Sequence, residues 1–458
     1  MSGAENPMPN PFARAASVLL GDESDARADP NVGHLLQALD YAAVKPAAPG
    51  DKIDPKTANR AHLLEAASRF VRVFELAAPD APGLVSFGAE FDPALADPLH
   101  VGSPLVGVSG VGLSLQEAFQ GCIGEGVEYL SQLQTGSDVL LTAGFDDGKT
   151  MLGPRALEFV AALSERRSRP DTGLSWHCAT RLIDGCEVLL PAGICVRRPP
   201  EQREFAPPFP LSIGSAAGPS FEAAALHGLL ELIERDAASL WWWGGQRGRS
   251  IPPQDEASAT AKNLLQQLRY ANPASRRTSL LDITTDVGVP CVAAVSCRPD
   301  GFGFAFGLAA RLTLEAAARS AILEMCQIEL ADAIVATKRS ERGDAALNAT
   351  DRVHLRRAAM INADQCALLR PVSERATHLA IVTTEPSAAL RLIVQRLEKL
   401  GIETFCLDLT RPRFAVPVAR VIAPGLQLEP SEIVTARLAD TIARTGGGTT
   451  YTGGVALI

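Results

Sequence analysis

The chain has 458 residues, of which 47% are hydrophobic and 21% charged, with a formal net charge of −9. That length allows two or three ordinary domains, and the acidic balance argues against a nucleic-acid partner, whose phosphates are bound by clustered Lys and Arg. The longest apolar runs, 226–233 and 237–243, are cut by charge well short of the roughly 18 residues of a membrane span, so no membrane association is expected.

The amino terminus, MSGAENPMPNPFARAAS, lacks the basic start and apolar h-region of a secretory signal, so a cytoplasmic location is expected. Residues 1–50 are rich in Ala, Pro and Asp, with one short helix predicted around 32–43. Apolar residues recur at helical spacing over 58–78, and Pro79 and Pro82 stop that predicted helix. We therefore separate 1–100, an N-terminal arm with a small helical and strand region, from a single unit at 101–458. Short apolar strands alternate there with longer amphipathic helices and no linker intervenes. This predicts an α+β (mixed α/β) fold with helices packed on mixed sheets.

Within that unit, GEGVEY places Glu125 and Glu128 three apart on a predicted helix after the glycine turn SGVGLS. The segment GFDDGKT at 144–150 invites a P-loop reading, but Ala143 stands where the motif needs Gly, and Asp146 and Asp147 would repel phosphate. The basic runs 166–169 and 197–203 are short and read as solvated loop charge. A second helix, SFEAAALHGLLELIERDAASLWWW, starts at Ser220 after the turn GSAAGPS and repeats the acid spacing with Glu231 and Glu234. Arg235 follows Glu231 at i+4 on the same surface. His227, one turn before Glu231, reads as a packed residue or a neighbour of the acids. The run 241–243 reads mainly as core, with one Trp ring free to line a cleft. A third helix, LTLEAAARSAILEMCQIEL, carries Arg319 and the pair Glu324 and Gln327, again three apart. The nine cysteines include no C-x-x-C pair and the seven histidines are scattered, so the thiols are expected to be reduced and structural.

Carboxylate pairs inside apolar helices need an explanation, because burying like charges is costly. Either each face is open to water, or Arg235 neutralises part of it, or a cation is bound. Mg2+ is commonly held by one or two carboxylates together with substrate phosphates. For one E-x-x-E-R a solvated stripe suffices; three helices with the same spacing favour convergence on one metal and polyanion site. A second echo, LDITTDVGVPCVAAV at 281–295 and LDLTRPRFAVPVARV at 407–421, points to a duplicated unit.

Over about 107–426 these residues resemble the YcaO family, particularly the cyclodehydratase D-proteins that install azolines in ribosomal peptides. GSAAGPSFEAAALHGLLELIERDAASLWW is similar to that family's G-x-A-x-G turn, E-x-x-E-R-D-A helix and Trp pair, and Arg319 with Glu324 and Gln327 is similar to its arginine and E-x-x-Q. The resemblance implies a fold with internal pseudo-duplication around a central nucleotide site, and ATP and Mg2+ as cofactors. It implies that Glu125, Glu128, Glu231, Glu234 and Glu324 hold Mg2+ and phosphate-linked groups, with Arg235, Arg319 and Gln327 touching the nucleotide. It further implies ATP-dependent activation of a peptide amide, giving azolines from Cys, Ser or Thr in a precursor peptide, with thioamide formation as a variant. The partners it implies are the precursor peptide and a separate ThiF-like or TfuA-like protein, and a homodimer is compatible with it. The chain departs from the family at Val111, Gly121 and Tyr129, where Lys, Ser and Arg are usual, and it ends in TGGGTTYTGGVALI rather than a P-x-P-x-P tail. Those departures leave a second reading open, a non-catalytic scaffold that binds peptide or a partner.

Overall fold

The computed structural model describes residues 10–21, 29–44, 52–143, 152–167, 173–372 and 383–458. Helices α1 (Pro11–Leu20), α2 (Pro30–Ala38) and α3 (Pro55–Ser68) come first, each with a proline in the first turn and an Asn or Asp side chain capping the free amides. The short helix expected around 32–43 is α2. The helix expected over 58–78 stops ten residues early: α3 ends at Ser68 and β1 (Arg72–Leu76) follows. The alternation in RVFEL satisfied the helical pattern by coincidence, and backbone pairing with β2 (Val85–Phe91) decided for strand. The candidate P-loop at 144–150 lies outside the described residues.

β3 (Val106–Gly112) completes a sheet of order β1-β2-β3 and leads into α4 (Leu115–Gln132). A second sheet runs β4 (Leu141–Ala143), β5 (Leu174–Arg181), β12 (Phe405–Asp408), β13 (Val418–Ile422), β7 (Ser215–Ala217), with β6 (Glu187–Pro191) paired to β5. β7 leads into α7 (Phe221–Trp242). The third sheet, β8 (Arg249–Ser250), β9 (Arg277–Asp282), β10 (Cys291–Cys297) and β11 (Ala305–Ala310), leads into α9 (Leu314–Arg342). The remaining helices are α5 (Pro154–Glu165), α6 (Ala192–Cys195), α8 (Glu256–Leu268), α10 (Ala349–Met360), α11 (Pro386–Lys399), α12 (Ala436–Thr445) and α13 (Thr449–Thr452). The expected packing of helices on sheets is present, but the pairings within the three sheets are antiparallel rather than mixed.

One unit recurs three times. β1-β2-β3 with α4, β9-β10-β11 with α9, and β12-β13-β7 with α7 are each three antiparallel strands whose edge strand leads directly into a helix lying across them. In the third case the strands β12 and β13 come after the helix in sequence, so that unit is closed by distant chain segments. Each helix also touches the edge strand of the next unit: α4 reaches β7, α7 reaches β11, and α9 reaches β3. The LD-x-T echo proves to be one hairpin built twice. Asp282 accepts from the Thr284 amide and the Thr284 hydroxyl accepts from Cys291 N, while Asp408 accepts from Thr410 N and the Thr410 hydroxyl accepts from Val418 N.

Glycine sets how closely helix and strand approach. A Cβ on Gly110 would stand 2.2 Å from Cys122 N on α4, and one on Gly307 would stand 2.1 Å from Ala321 O on α9. Both obstacles are backbone, so neither can step aside. Below α4 the N-terminal elements join the same core: Leu19, Leu64, Phe70 and Phe91 pack with Phe119, Ile123 and Val127, each fully buried side chain contributing roughly 1.5–3 kcal/mol. Trp241 and Trp242 are buried and donate to Leu368 O and Val455 O, while Trp243 donates to Glu429.

Gly307→Ala should destabilise the protein by about 2 kcal/mol or more, the range expected of overpacking against rigid backbone. Gly107, with nothing near a Cβ, should tolerate Ala within about 0.5 kcal/mol. Urea denaturation midpoints of the two variants test this, and equal midpoints would show that the close approach does not constrain the fold.

Candidate active site

The three helices begin alike. Ser114, Ser220 and Thr313 cap α4, α7 and α9 by accepting from the backbone amides of Glu117, Ala223 and Ala316. Glu125, Glu231 and Glu324 stand at the same offset from those caps, about three turns along. Each of these carboxylates accepts a hydrogen bond from an amide of its own unit sixteen or seventeen residues earlier: Glu125 from Ser109 N at 3.3 Å, Glu231 from Gly214 N at 3.0 Å, and Glu324 from Leu308 N at 2.8 Å. One further turn along each helix come Glu128, Glu234 and Gln327.

These second positions tie one unit to another. Glu234 accepts from Ala310 N at 3.1 Å, at the end of β11, and Gln327 donates to the Ser109 hydroxyl on β3 at 2.8 Å. Ser109 therefore links the first unit's Glu125 to the third unit's Gln327. Arg235 lies 3.5 Å from Glu231 and 3.9 Å from Glu234, and its charge is also felt by Glu324. The sequence placed five glutamates, Arg235 and Gln327 in one site, and the fold brings them to one convergence of three helices. Arg319 sits nearer the helix starts, where its guanidinium grips both oxygens of Glu117 at 2.7 and 2.9 Å, two turns before Glu125.

The electrostatics follow from crowding. Burial pushes Glu234 up to about 8, and the neighbouring Glu324 adds to the effect. Burial raises Glu128 well above the usual carboxylate range, helped by the charges of Glu231 and Glu125, and raises Glu324 as well. Glu125 is pushed up to about 7 by the protein around it and by Glu231. Water in the cleft reaches Glu125, which screens part of that penalty. Four acids held above their usual range form an electrostatic deficit that a divalent cation would relieve. Among the described residues no three acidic, His or Cys side chains lie close enough to hold a metal unaided. That arrangement suits a Mg2+ ion that takes one or two carboxylates and fills its remaining positions with phosphate oxygens and water.

Several neighbours had no sequence signal. Arg311, just past β11, lies within electrostatic reach of Glu234 and Glu324, and Ser109 read only as part of a glycine turn. The run 197–203 is packed at its start, although Pro200, Glu201 and Arg203 are exposed as expected. Arg198 is 8% exposed, and Arg197 lies over the Tyr129 ring at 4.6 Å. The aromatic face and the side-chain oxygens of Gln132, Gln134 and Glu204 give those guanidinium groups partners that a loop in water lacks. His227 faces the cleft, and burial among its neighbours with Arg311 nearby lowers its pKa.

A family model described as YcaO cyclodehydratase, ATP- and Mg2+-binding, matches residues 109–427. The chain belongs to the YcaO family. Those residues include α4, α7 and α9 with β7, β11 and the end of β3, and ATP and Mg2+ are the ligands of this family. A relative from Rhizobium leguminosarum bv. trifolii, an uncharacterized protein in the tfuA 3' region, is 28% identical over 58% of this chain and 64% of its own length. The chain spans about half to two thirds of the curated relatives it matches. Among solved structures, a heterocyclase in complex with substrate and cofactor superimposes with a TM-score of 0.67 at 22% identity, over 86% of this chain and 55% of that one. The YcaO protein from Methanopyrus kandleri bound with AMPPCP and Mg2+ gives 0.55 at 19% identity, over 81% and 91%. At such identities the likeness establishes the shared fold. Among the described residues no helix is long and apolar enough to cross a membrane.

The raised acids predict a pH response of the metal-free protein. Folded Glu234 keeps its proton up to about 8, and Glu125 is raised in the same direction to a degree that solvent reduces, whereas the unfolded chain releases both in the ordinary carboxylate range. The native state then binds more protons than the unfolded state, so stability falls as pH rises through that window. Melting temperatures in chelator between about pH 6 and about pH 8.5 should decline, and Glu234→Gln should flatten the decline. An identical slope in the variant would remove Glu234 from the account.

Proposed function

We propose that this YcaO chain binds Mg-ATP where its three helices converge and uses it to activate a backbone amide in a ribosomally made precursor peptide. The observation that carries this reading is the three glutamates, Glu125, Glu231 and Glu324, each held by an amide on or just before its own edge strand and gathered beside Arg235. Glu128 and Glu234 deepen the acidic field, and Gln327 fixes Ser109. In this reading the five acids supply carboxylates to Mg2+, one or two to each ion with phosphate oxygens and water filling the remaining positions, while Arg235, Arg319 and Gln327 meet the nucleotide. When bound, Mg-ATP supplies the phosphoryl group that turns the amide oxygen into a leaving group.

The product we favour is an azoline. The sulfur or oxygen of a Cys, Ser or Thr side chain bonds to the preceding carbonyl carbon and loses its proton. The former amide oxygen departs on phosphate, and loss of the amide proton leaves a C=N bond. Peptide and ATP thus give azoline, ADP and phosphate. The acidic cluster offsets none of the phosphate charge by itself, so the cations are required for catalysis. A second reading, thioamide formation with a TfuA-like partner, is favoured by the relative whose gene lies in the tfuA 3' region. Both readings expect the peptide to be delivered by a separate protein, of ThiF-like or TfuA-like type, in the cytoplasm.

Mg-ATP at about 100 times its dissociation constant should stabilise the protein by about 2.7 kcal/mol, visible as a rise in melting temperature of a few degrees. Glu231→Gln and Glu324→Gln should lose most of that rise. No shift at millimolar Mg-ATP, with the precursor peptide and partner present, would refute the reading. Mass spectrometry of the treated peptide separates the products, since an azoline has lost one water and a thioamide has exchanged oxygen for sulfur.

A further inference from the structure

The first and second units can be compared residue for residue. On α7 the pair Glu231 and Glu234 is followed at once by Arg235, which neutralises part of both and of Glu324. On α4 the pair Glu125 and Glu128 is followed by Tyr129, so the first unit has two crowded acids and no cation of its own at the equivalent place. Tyr129 instead carries a guanidinium on its ring: Arg197 lies 4.6 Å from the ring centre.

Arg197 is fixed there by three further contacts. Its backbone N–H donates to Gln132 O at 2.6 Å and its carbonyl accepts from Gln134 N at 3.0 Å, which fastens it to the end of α4. Its Nε donates to the Gln132 side-chain oxygen at 2.7 Å, and the Gln132 amide nitrogen donates to Glu128 at 3.1 Å. A hydrogen-bonded line thus runs from Arg197 through Gln132 to Glu128. Among the described residues its two terminal nitrogens make no hydrogen bond, and the residue forms part of the wall of a cavity of about 680 Å3. The other cation near Glu128, Arg420, is 1% exposed, and its Nε and Nη1 are held by Ile194 O, Leu211 O, Ile213 O and Ser215, so burial keeps it from an incoming ligand.

The geometry points to Arg197 as the phosphate-binding cation of the first unit, supplied from a distant loop and seated on Tyr129 in the place that Arg235 takes in the second. This rests on the proposed Mg-ATP reading and adds to it a residue that stands outside the acid-pair helices. Tyr129 then serves as a platform, and Gln132 as the group that sets the guanidinium beside Glu128. The free nitrogens suit a phosphate oxygen, which guanidinium groups bind in forked geometry.

Titration calorimetry with Mg-ATP on the full chain tests it. Arg197→Gln should weaken binding about tenfold or more, the loss expected when a charge-assisted contact worth about 1.4 kcal/mol disappears. Tyr129→Arg in the Arg197→Gln background should recover most of the affinity, because it restores a cation to α4 itself. Recovery would not follow if Arg197 merely braced the loop. Unchanged affinity in Arg197→Gln, or an affinity that stays low in the double variant while both proteins melt as the wild type does, overturns the inference. If the wild type itself fails to bind Mg-ATP, the underlying reading falls and takes this inference with it, and the wild-type titration distinguishes that outcome from the others.

Discussion

The hydrogen bond from an amide on the edge strand, or just before it, to a glutamate on the following helix organises everything else. It occurs at Ser109 N to Glu125, Gly214 N to Glu231 and Leu308 N to Glu324. A carboxylate on a mobile side chain would be a poor ligand for a metal, because ordering it costs rotamer entropy. Anchoring one oxygen to a fixed amide leaves the other oxygen presented in one direction. The close packing that makes this reach possible depends on Gly110 and Gly307, where any side chain would strike helix backbone.

That arrangement stores repulsion. Five acids and one internal arginine meet where three units touch, and Glu125, Glu128, Glu234 and Glu324 are all driven above their ordinary range. A fold concerned with stability alone would put apolar residues there, since buried charge is weak evidence of stabilisation. The excess acidity is understandable as preparation for a cation, with local packing supplying the free energy that holds the charges together. Each helix helps by touching the next unit's edge strand, so no single unit completes the cluster.

The three units also explain how the acid cluster can assemble without the Lys, Ser and Arg that the family resemblance leads one to expect. Val111, Gly121 and Tyr129 all fall on the first unit, on β3 and α4, while α7 and α9 keep theirs. Charge missing from a helix can be returned from elsewhere in the fold, as Arg197 shows by lying on Tyr129 and reaching Glu128 through Gln132. Electrostatic effects depend on position in space and are indifferent to which segment carries the charge.

Local periodicity was enough to reveal α7 with its Ser220 cap, the spacing of the three polar pairs, and the LD-x-T hairpins. These features depend on residues within a few turns of one another. The start of β1 was misread because RVFEL fits a helical and a strand pattern equally, and only pairing with β2 separates them. Sequence spacing could group Glu125, Glu231 and Glu324 by analogy, yet nothing local states that three helices point at one place. The closing of the α7 unit by β12 and β13, which follow it only after the whole third sheet, and the seating of Arg197 on Tyr129 were decided by tertiary structure alone. Both are contacts between segments far apart in the chain, and their energies depend on distances that exist only once the backbone has folded.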